Sequence, residues 1–533
     1  MTGPRSHTPR WLFVSLVALY LAPLWVFRYI PSQDGPTHVA NAWFLKVHGE
    51  PAAAGLRTYY RINDTPVPNV VYHYILAGFM YVFPPLTAEK VLLSLYVILF
   101  TTAWAYLCHG LAGRATPAAY LAFPFVYSLP FQFGFFGFML SLAPAFAAMG
   151  FYWRRRERPG PAVFVILNVL GLAAYATHLL GWAILVAGVI AAAFAQGVYL
   201  LGAKGTAVSK RRTGAAWWFA TPLYLAPAVA PGLSYILRQE TGGAHFRLGW
   251  GELALRLIRT DALFSFNIQE KYVALASGAV IAALAAVLIV TRLTRRKTAE
   301  RTWRFEDAAC GAAFALATLA YFIVPDTTPS GGGYVSNRLA LLPPLALVAL
   351  AAAARERWFR TLLFFVASAV AVAHLPFMFA GWRQANEALR DFTRGRYLMY
   401  EGATLLPVVW YHHPGAYNKV HYLEHAGSYY TLGTYAVDLT NYEASRPYFP
   451  VVWRAGAWPM APYFGGLRDG VPYYDVAALY PRADFVLFWR VDTRTPEMKA
   501  ALARYECVLF RDKLEIYRRR PTAEIDAGAG GPP

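Results

Sequence analysis

The sequence predicts a polytopic α-helical membrane protein of about eleven spans that carries a small external α/β domain near its C-terminus. Three observations predict this class. The chain has 533 residues, of which 57% are hydrophobic, and its mean hydropathy is +0.34. Many apolar runs approach the roughly 20 residues that a helix needs to cross a bilayer. The last ~150 residues are far less apolar, which indicates a separate water-exposed domain.

The basic residues indicate how the chain crosses the membrane. The net charge is +19, and most Lys and Arg residues stand in short clusters between apolar runs. This distribution indicates topology and argues against nucleic acid as a partner. The positive-inside rule places the basic N-terminus and all the clusters in the cytoplasm. The clusters are Arg154-Arg155-Arg156, Lys210-Arg211-Arg212, Arg295-Arg296-Lys297 and Arg355/Arg357/Arg360.

The count of apolar runs then decides which of them span. The first run, 11–30, lacks a small-residue cleavage site and is interpreted as a retained span. Five runs precede the Arg154 cluster, whereas two cytoplasmic points require an even number of crossings between them. The short run 69–83 is therefore interpreted as an interfacial or re-entrant helix. The runs are 11–30, 69–83, 87–108, 117–131, 134–153, 162–178, 180–202, 215–237, 272–291, 308–325, 338–354 and 361–380.

The resulting organisation has three parts. Residues 1–380 form a membrane module, in which 31–86 is a long external loop with interfacial helices. Residues 381–520 form an external α/β domain, because "ADFVLFW", "YECVLF" and "LEIYR" are typical of strands between polar turns. Residues 521–533 form a low-complexity, disordered tail. We expect a multi-pass protein of the bacterial inner membrane.

The stretch "IPSQDGPTHVANAWFL" holds the first candidate site. Asp34 follows the first span within about a turn, and His38 lies four residues later. A carboxylate there could act as a general base for an acceptor hydroxyl or hold a metal ion. Asp34 ahead of Pro36 is also a good helix N-cap. The two roles are compatible, because a capping Asp can still face a cavity.

Basic and aromatic residues of other predicted external segments give further candidates. His178, in "YATHLLGW", is either a solvated turn residue or a contact to a phosphate or a sugar. Arg338, in "YVSNRLALLPPLAL", starts a span on the external side, against the charge bias. An Arg beside a Gly-rich loop suits a phosphate, although an exposed Arg can also snorkel. Arg256 and Arg259 lie on an amphipathic piece that suits an interface with anionic headgroups or ordinary packing.

Other motifs point elsewhere or are missing. "HYLEH", His421 to His425, matches an inverted zinc-peptidase pattern. Solvated or packed histidines are the alternative, which the turn-rich surroundings favour. The sequence contains no P-loop, no Rossmann glycine pattern and no G-x-S-x-G. We therefore do not expect a nucleotide-driven pump.

The layout resembles the C-type (GT-C) glycosyltransferase superfamily, integral membrane enzymes that transfer a sugar from a polyprenyl-phosphate carrier. The matching features are Asp34 in a long first external loop, interfacial helices, about eleven spans and a C-terminal external domain. "YVSNRLALLPPLAL" and "LAAYATHLLGW" look like segments that recur in such proteins. Many members have adjacent acids in the first loop, whereas Asp34 is followed by Gly35. Glu50, Asp64 or His38 could take the place of the second acid.

The resemblance implies an inverting hexosyltransferase-type glycosyltransferase of the cell envelope. Asp34, with His38, would act on the hydroxyl of a glycan, lipid or protein acceptor. Arg338 would stabilise the departing lipid phosphate, helped by His178, Arg256, Arg259 and Tyr334. The resemblance also leaves room for a divalent cation, Mg²⁺ or Mn²⁺, at Asp34. A lipid-linked saccharide polymerase, ligase or flippase remains the alternative.

Overall fold

The structure is a computed structural model, and the fold is described here for part of the chain. The described residues are 9–156, 160–202, 221, 223–238, 246–264, 266, 268–295, 305–327, 333–354, 356–409, 419–457, 467–468, 471–472, 483–490 and 496–521. Four predicted features lie wholly or mostly outside them, namely the Lys210 cluster, the Arg295 cluster, Arg355 and the tail 521–533.

Helices dominate the described residues, and short 3-10 turns join several of them. The α-helices are α1 (Arg10–Val26), α2 (Gly35–Val47), α3 (Ala54–Tyr59), α4 (Val71–Phe79), α5 (Pro85–Ala112), α6 (Phe123–Val126), α7 (Leu129–Gln132), α8 (Phe136–Arg155), α9 (Pro161–Thr177), α10 (Leu179–Gly202), α11 (Ala226–Leu237), α12 (Trp250–Ile258), α13 (Ile268–Arg295), α14 (Phe305–Ile323), α15 (Val335–Leu339), α16 (Leu342–Ala352), α17 (Arg357–Ala373), α18 (Leu375–Phe392) and α19 (Pro496–Leu502). The 3-10 helices are Pro51–Ala53, Pro117–Ala122, Asp261–Leu263, Thr393–Leu398, Ala426–Thr431 and Glu443–Ser445.

Among the described residues, strands lie in one short segment before residue 70 and in the C-terminal part. They are β1 (Tyr60–Ile62), β2 (Thr404–Val409), β3 (Val437–Asp438), β4 (Val451–Trp453), β5 (Leu467–Arg468), β6 (Val471–Pro472), β7 (Phe485–Trp489), β8 (Tyr505–Arg511) and β9 (Leu514–Arg519).

The chain divides into two compact units, which are described separately. The first unit comprises residues 1–26, 67–72 and 93–381, and the second comprises 27–66, 73–92 and 382–533. Most of the predicted external loop 31–86 therefore belongs to the second unit, together with the C-terminal strands. Segments from both ends of the chain build that second unit.

Membrane-length helices are compatible with the predicted helical membrane protein. Among the described residues, seven helical segments are long and apolar enough to cross a membrane. The number of spans, eleven, stays a prediction. The seven segments are Pro85–Ala112, Phe136–Arg155, Leu179–Gly197, Gln269–Thr294, Glu306–Ile323, Val335–Ala352 and Arg357–Leu398.

Two of the predicted apolar runs form short pieces. The run 117–131 was expected to span as one helix, but it forms the 3-10 turn Pro117–Ala122 followed by α6 and α7. Its prolines at 117, 124 and 130 each remove a backbone donor, which favours short helical pieces over one long helix. In the run 69–83 only the nine residues of α4 are helical. At 1.5 Å per residue this is about 14 Å, too short to span.

Close packing of small residues holds the helices α8 to α11 together in the first unit. A core cluster includes Ala145, Ala148, Trp182 and Leu185. The indole Nε1 of Trp182 donates to the carbonyl of Ala228 at 2.8 Å. Because the alanines leave room for neighbouring backbones, the large ring fills the space between the helices.

A mixed five-stranded sheet forms the centre of the C-terminal part of the second unit. Its strand order is β3-β2-β7-β9-β8. Strand β2 is parallel to β3 and β7, while β9 is antiparallel to β7 and β8. Every residue of β2 and β7 is buried, as expected for interior strands. Each of the three strand-like runs predicted from the sequence contains a strand of this sheet, whereas the external α/β domain of residues 381–520 stays a prediction.

A second, two-stranded ladder ties the early segment of the second unit to its late segment. Strand β1 pairs antiparallel with β4, and Tyr60 lies opposite Trp453. Their ring centroids are 4.6 Å apart. This pairing fixes residues 54–62 beside the chain that follows Glu443.

A close backbone approach near this ladder gives a stability prediction. A Cβ on Gly55 would lie 2.5 Å from the Cα of Gly402, a turn residue with φ +76. Gly55→Ala is therefore expected to destabilise the protein by about 1–3 kcal/mol, because two backbones must separate. Gly49→Ala is the matched control, since a Cβ there meets nothing within 4 Å. The thermal unfolding midpoint in detergent tests this, and equal midpoints for the two variants would contradict it.

Candidate functional site

The segment that leads into Asp34 is clamped at its backbone. The amide N–H of Tyr29 donates to Asn386 Oδ1 at 2.8 Å, and Asn386 Nδ2 donates back to the Tyr29 carbonyl at 3.0 Å. The Tyr29 hydroxyl lies 2.9 Å from Thr393 Oγ1. Two reciprocal bonds to one buried amide leave little freedom for residues 27–33. The start of α2 is thereby fixed in position.

Helix α2 is almost entirely buried and presents polar residues on one face. Asp34, His38 and Asn41 are separated by four and three residues, so they fall on the same side of the helix. Asp34 occupies the N-cap position, as the sequence predicted, but its side chain makes no capping hydrogen bond. The carboxylate is therefore directed at other groups, although Asp34 is only 8% exposed.

Three side chains from a later segment of the second unit approach Asp34. His425 Nε2 lies 3.7 Å from Asp34 Oδ1. The hydroxyl of Tyr442 hydrogen-bonds to Asp34, and the ring of Tyr442 stacks on His425 with centroids 4.4 Å apart. Glu424 is close enough to be influenced by the charge of Asp34. We call Asp34, Glu424, His425 and Tyr442 the Asp34 cluster.

Burial shapes the protonation of this cluster. Burial, and then the negative charge of Asp34, raise the pKa of Glu424 to about 8. Burial lowers the pKa of His425 to about 3. At neutral pH Glu424 keeps its proton and His425 is neutral, so the His425–Asp34 contact is polar but is not an ion pair. The cluster thus places a carboxylate among neutral hydrogen-bonding groups.

A second polar group, formed by His38, His73 and Glu443, lies on the same face of α2. His38 Nδ1 and His73 Nε2 are 3.1 Å apart. Both face the carboxylate of Glu443, which contacts His38 Nδ1 through Oε1 and lies 3.1 Å from His73 Nε2 through Oε2. We call these three residues the His38 triad. It is the group of potential metal ligands found among the described residues.

The Glu443 carboxylate is also held by a neighbour of the triad. Asn41 Nδ2 donates to Glu443 Oε2 at 2.7 Å, and Asn441 Nδ2 donates to Asn41 Oδ1 at 2.8 Å. Burial alone would raise the pKa of Glu443, but His38 and His73 outweigh it and hold that pKa well below its ordinary value. Glu443 is therefore ionised in a fully buried position.

The "HYLEH" motif does not form a zinc-binding helix. Residues 422–425 form turns, and Ala426–Thr431 is a 3-10 helix. Two histidines four residues apart share one face only on a helix. The amide of His421 instead donates to Gln33 Oε1 at 3.4 Å, and His425 joins the Asp34 cluster. The zinc-peptidase interpretation is not supported.

The predicted second acids lie in other surroundings. Glu50 accepts a hydrogen bond from Tyr435 at 2.7 Å and lies 3.4 Å from Lys46. Asp64 is exposed. His38 is engaged by Glu443 and His73. The carboxyl group whose pKa is raised by the charge of Asp34 is that of Glu424, nearly four hundred residues later in the chain.

Arg338 and Tyr334 share an aromatic environment in the first unit. The Arg338 guanidinium lies over the Phe135 ring, 3.7 Å from its centroid, and donates to the Gly333 carbonyl at 2.6 Å. The ring of Tyr334 stacks on Phe133 with centroids 5.2 Å apart. Tyr334 has φ 58, in the left-handed region, which is costly for an aromatic residue. This arrangement fixes Arg338 by a cation–π contact.

Arg256 lies beside the same segment and at an apolar cavity. Its Nη1 donates to Asn337 Oδ1 at 3.4 Å, one residue before Arg338. It also pairs with Glu252 at 2.5 Å. A cavity of about 390 Å³ is lined by Arg256, Asp261 and mostly apolar side chains that include Leu275, Pro343 and Leu347. Arg259, at the end of α12, is exposed.

His178 lies in the turn between α9 and α10. Its Nδ1 accepts from the Leu180 amide at 3.0 Å, as an N-cap does. Its ring packs edge-on against Phe138 at 5.6 Å. Burial lowers the pKa of His178 well below its ordinary value, and the nearby Arg338 charge lowers it further. The structure thus brings His178, Arg256, Tyr334 and Arg338 into one unit, and Asp34 with His38 into the other.

Four of the polar residues were missed by reasoning from the sequence. Tyr442, His73 and Glu443 belong to no local motif, and Glu424 stands only in the HYLEH pattern, which points to zinc rather than to Asp34. All of them except His73 lie several hundred residues from α2. The one available signal was the spacing 34, 38 and 41, which puts three polar residues on one face of an apolar helix. That spacing predicts a buried polar partner without identifying it.

Comparison with known proteins adds no family assignment. No family model matches this sequence, and no curated protein matches it.

Proposed function

We propose that the protein is a membrane glycosyltransferase that uses a polyprenyl-phosphate-linked sugar, with Asp34 as the general base. The observation that carries the proposal is the Asp34 carboxylate, which occupies an N-cap position without capping. It is buried among neutral hydrogen-bonding groups, and Tyr442 and His425 orient it. A positioned carboxylate of this kind suits proton abstraction from a hydroxyl.

The proposed transfer needs one proton acceptor, Asp34, and no other reactant besides the donor and the acceptor. Asp34 takes the proton of the acceptor hydroxyl as its oxygen attacks the anomeric carbon of the sugar. The bond between that carbon and the phosphate oxygen breaks, and its electron pair leaves with the polyprenyl phosphate. Attack opposite the leaving group inverts the anomeric configuration. The products are the glycosylated acceptor and the polyprenyl phosphate.

Features of the first unit support a lipid-linked donor. The cavity at Arg256 is mostly apolar and has a volume of about 390 Å³, a size and character that suit part of a prenyl chain. Arg256 is linked through Asn337 to the segment of Arg338. Arginine forks are the side chains that bind phosphate most specifically. We therefore assign the phosphate of the donor to Arg338 and Arg256.

The divalent cation that the resemblance allows does not fit the Asp34 cluster. Mg²⁺ and Mn²⁺ take carboxylate and water oxygens as ligands. Around Asp34 stand an imidazole, a phenol and Glu424, and among the described residues Asp34 belongs to no group of three potential metal ligands. Such surroundings are a poor site for either ion, so no step is assigned to one.

The test is transfer by the purified full chain in liposomes. A panel of tritium-labelled polyprenyl-phosphate sugars is offered with a membrane extract as the source of acceptors. We expect one donor to lose its sugar to an acceptor and to release polyprenyl phosphate. If no donor in the panel is consumed faster than in empty liposomes, the proposal fails. Movement of intact donor across the bilayer without bond cleavage would favour a flippase.

Glu424 gives a pH prediction for the same assay. Its pKa of about 8 means that it loses its proton as the pH rises through 8, which adds a second negative charge beside Asp34. We expect the rate of transfer to rise above about pH 8, because the added charge raises the proton affinity of the Asp34 carboxylate. Glu424→Gln, neutral at every pH, should lack this rise between pH 7 and 9. An alkaline rise of the same size in the variant would contradict this role.

A further inference from the structure

We propose that the His38 triad binds a divalent transition-metal ion, with His38 Nδ1, His73 Nε2 and a Glu443 oxygen as ligands. Two imidazoles and one carboxylate form a ligand set that zinc takes in proteins. The ligand atoms of all three residues lie within 4.8 Å of one another. The triad lies near the Asp34 cluster but shares no residue with it, and the proposal does not depend on the transferase assignment.

The separations suit an ion of the size of zinc. Zinc bonds to nitrogen and oxygen are about 2.0–2.2 Å long, so tetrahedral ligand atoms stand about 3.3 Å apart. The nitrogen–nitrogen distance in the triad is 3.1 Å, and His73 Nε2 is 3.1 Å from Glu443 Oε2. An outward shift of the side chains, largest for the Glu443 oxygen in contact with His38 Nδ1, therefore opens the triad to an ion. A water molecule would complete a tetrahedral set.

Hydrogen bonds alone cannot pair all three ligand atoms of the triad favourably, whichever nitrogens carry a proton. Both ring nitrogens face the carboxylate of Glu443 and also each other. If both carry a proton, two N–H groups oppose one another at 3.1 Å. If either lacks one, its lone pair faces a carboxylate oxygen. A cation between the three atoms accepts all the lone pairs at once, which removes both conflicts.

Burial and the surrounding residues favour a resident ion. His38, His73 and Glu443 are exposed by 6%, 1% and 0%, so the ion would be shielded from water. Asn41 donates to the carboxylate at 2.7 Å, as the partners of metal ligands commonly do. The three ligands come from α2, α4 and the 3-10 helix Glu443–Ser445. A bound ion would therefore brace three segments of the second unit that are remote in sequence.

The experiment measures metal in the purified full chain. The protein carries a tag without histidine, is dialysed against Zn²⁺ and then against metal-free buffer, and is analysed by mass spectrometry of metals. We expect about one zinc per chain in the wild type and a loss of at least tenfold in His73→Gln. His48→Gln is the matched control, because His48 is exposed and its Nδ1 lies 2.7 Å from the carbonyl oxygen of Leu45.

Replacement by Co²⁺ supplies a second readout that does not require any variant to fold. A tetrahedral Co²⁺ site gives visible absorption, which Zn²⁺ should displace. Two results would overturn the proposal. One is a wild-type chain that retains no zinc and shows no cobalt spectrum, which would identify a proton-sharing triad. The other is equal zinc retention by the wild type and by folded His73→Gln, which would place the metal elsewhere.

Discussion

Asp34→Asn is expected to lower the rate of sugar transfer by about 10²–10⁴-fold, the usual contribution of a positioned general base. Asparagine keeps the size and the hydrogen-bonding capacity of the side chain but cannot accept the hydroxyl proton. Because Asp34 makes no capping bond, the substitution should leave helix α2 in place. The thermal unfolding midpoint should therefore change little while transfer is lost.

Asp64→Asn is the matched control for this variant. Asp64 belongs to the same predicted external loop and to the same unit, but it is exposed. We expect wild-type transfer from it in the liposome assay. Full transfer by Asp34→Asn would refute the assignment of the base. Unchanged donor binding with lost turnover would support it, because the proton is accepted in the reaction step.

Glu443→Gln is expected to cause the largest loss of stability. Glu443 is fully buried, and its carboxylate contacts His38, His73 and Asn41. Removing one partner of a buried ionic network costs about 3–5 kcal/mol, since the remaining polar groups stay desolvated. The unfolding midpoint in detergent should fall by about 10 °C.

Glu401→Gln provides the comparison, because Glu401 is an exposed glutamate of the same unit. Its midpoint should match that of the wild type within about a degree, as surface substitutions usually do. A wild-type midpoint for Glu443→Gln would mean that the triad contributes no stability. Such a result would also weaken the argument for a resident ion, since metal binding adds to folding stability.

Local patterns in the sequence predicted the secondary structure of the sheet well. The runs that contain Phe485–Trp489, Tyr505–Arg511 and Leu514–Arg519 are β-branched and aromatic, and each one forms a strand. The run 117–131 was misjudged, because hydropathy counts apolar residues without regard to prolines. Three prolines outweigh the apolar character and divide the run into short pieces.

The site could be predicted only on the side of α2. Asp34 stood out as a carboxylate at the end of an apolar run, and His38 stood out by its spacing. Glu424 and Glu443 were unpredictable, because nothing in their own neighbourhood indicates burial. The β1–β4 ladder and the packing of α2 bring these residues to their partners. These are tertiary contacts, which the periodicity of a local sequence does not predict.

The assembly of the second unit from both ends of the chain has a consequence for biosynthesis. Asp34 emerges from the ribosome early, while Glu424, Tyr442 and Glu443 follow about 400 residues later. Synthesis proceeds at roughly 5–20 residues per second. The groups that surround α2 are therefore synthesised about 20–80 s after α2 itself. During that interval its polar face has no final partners, and the nascent chain has no complete cluster around Asp34. Truncated chains that end before residue 420 should therefore be inactive even when their first helices insert correctly.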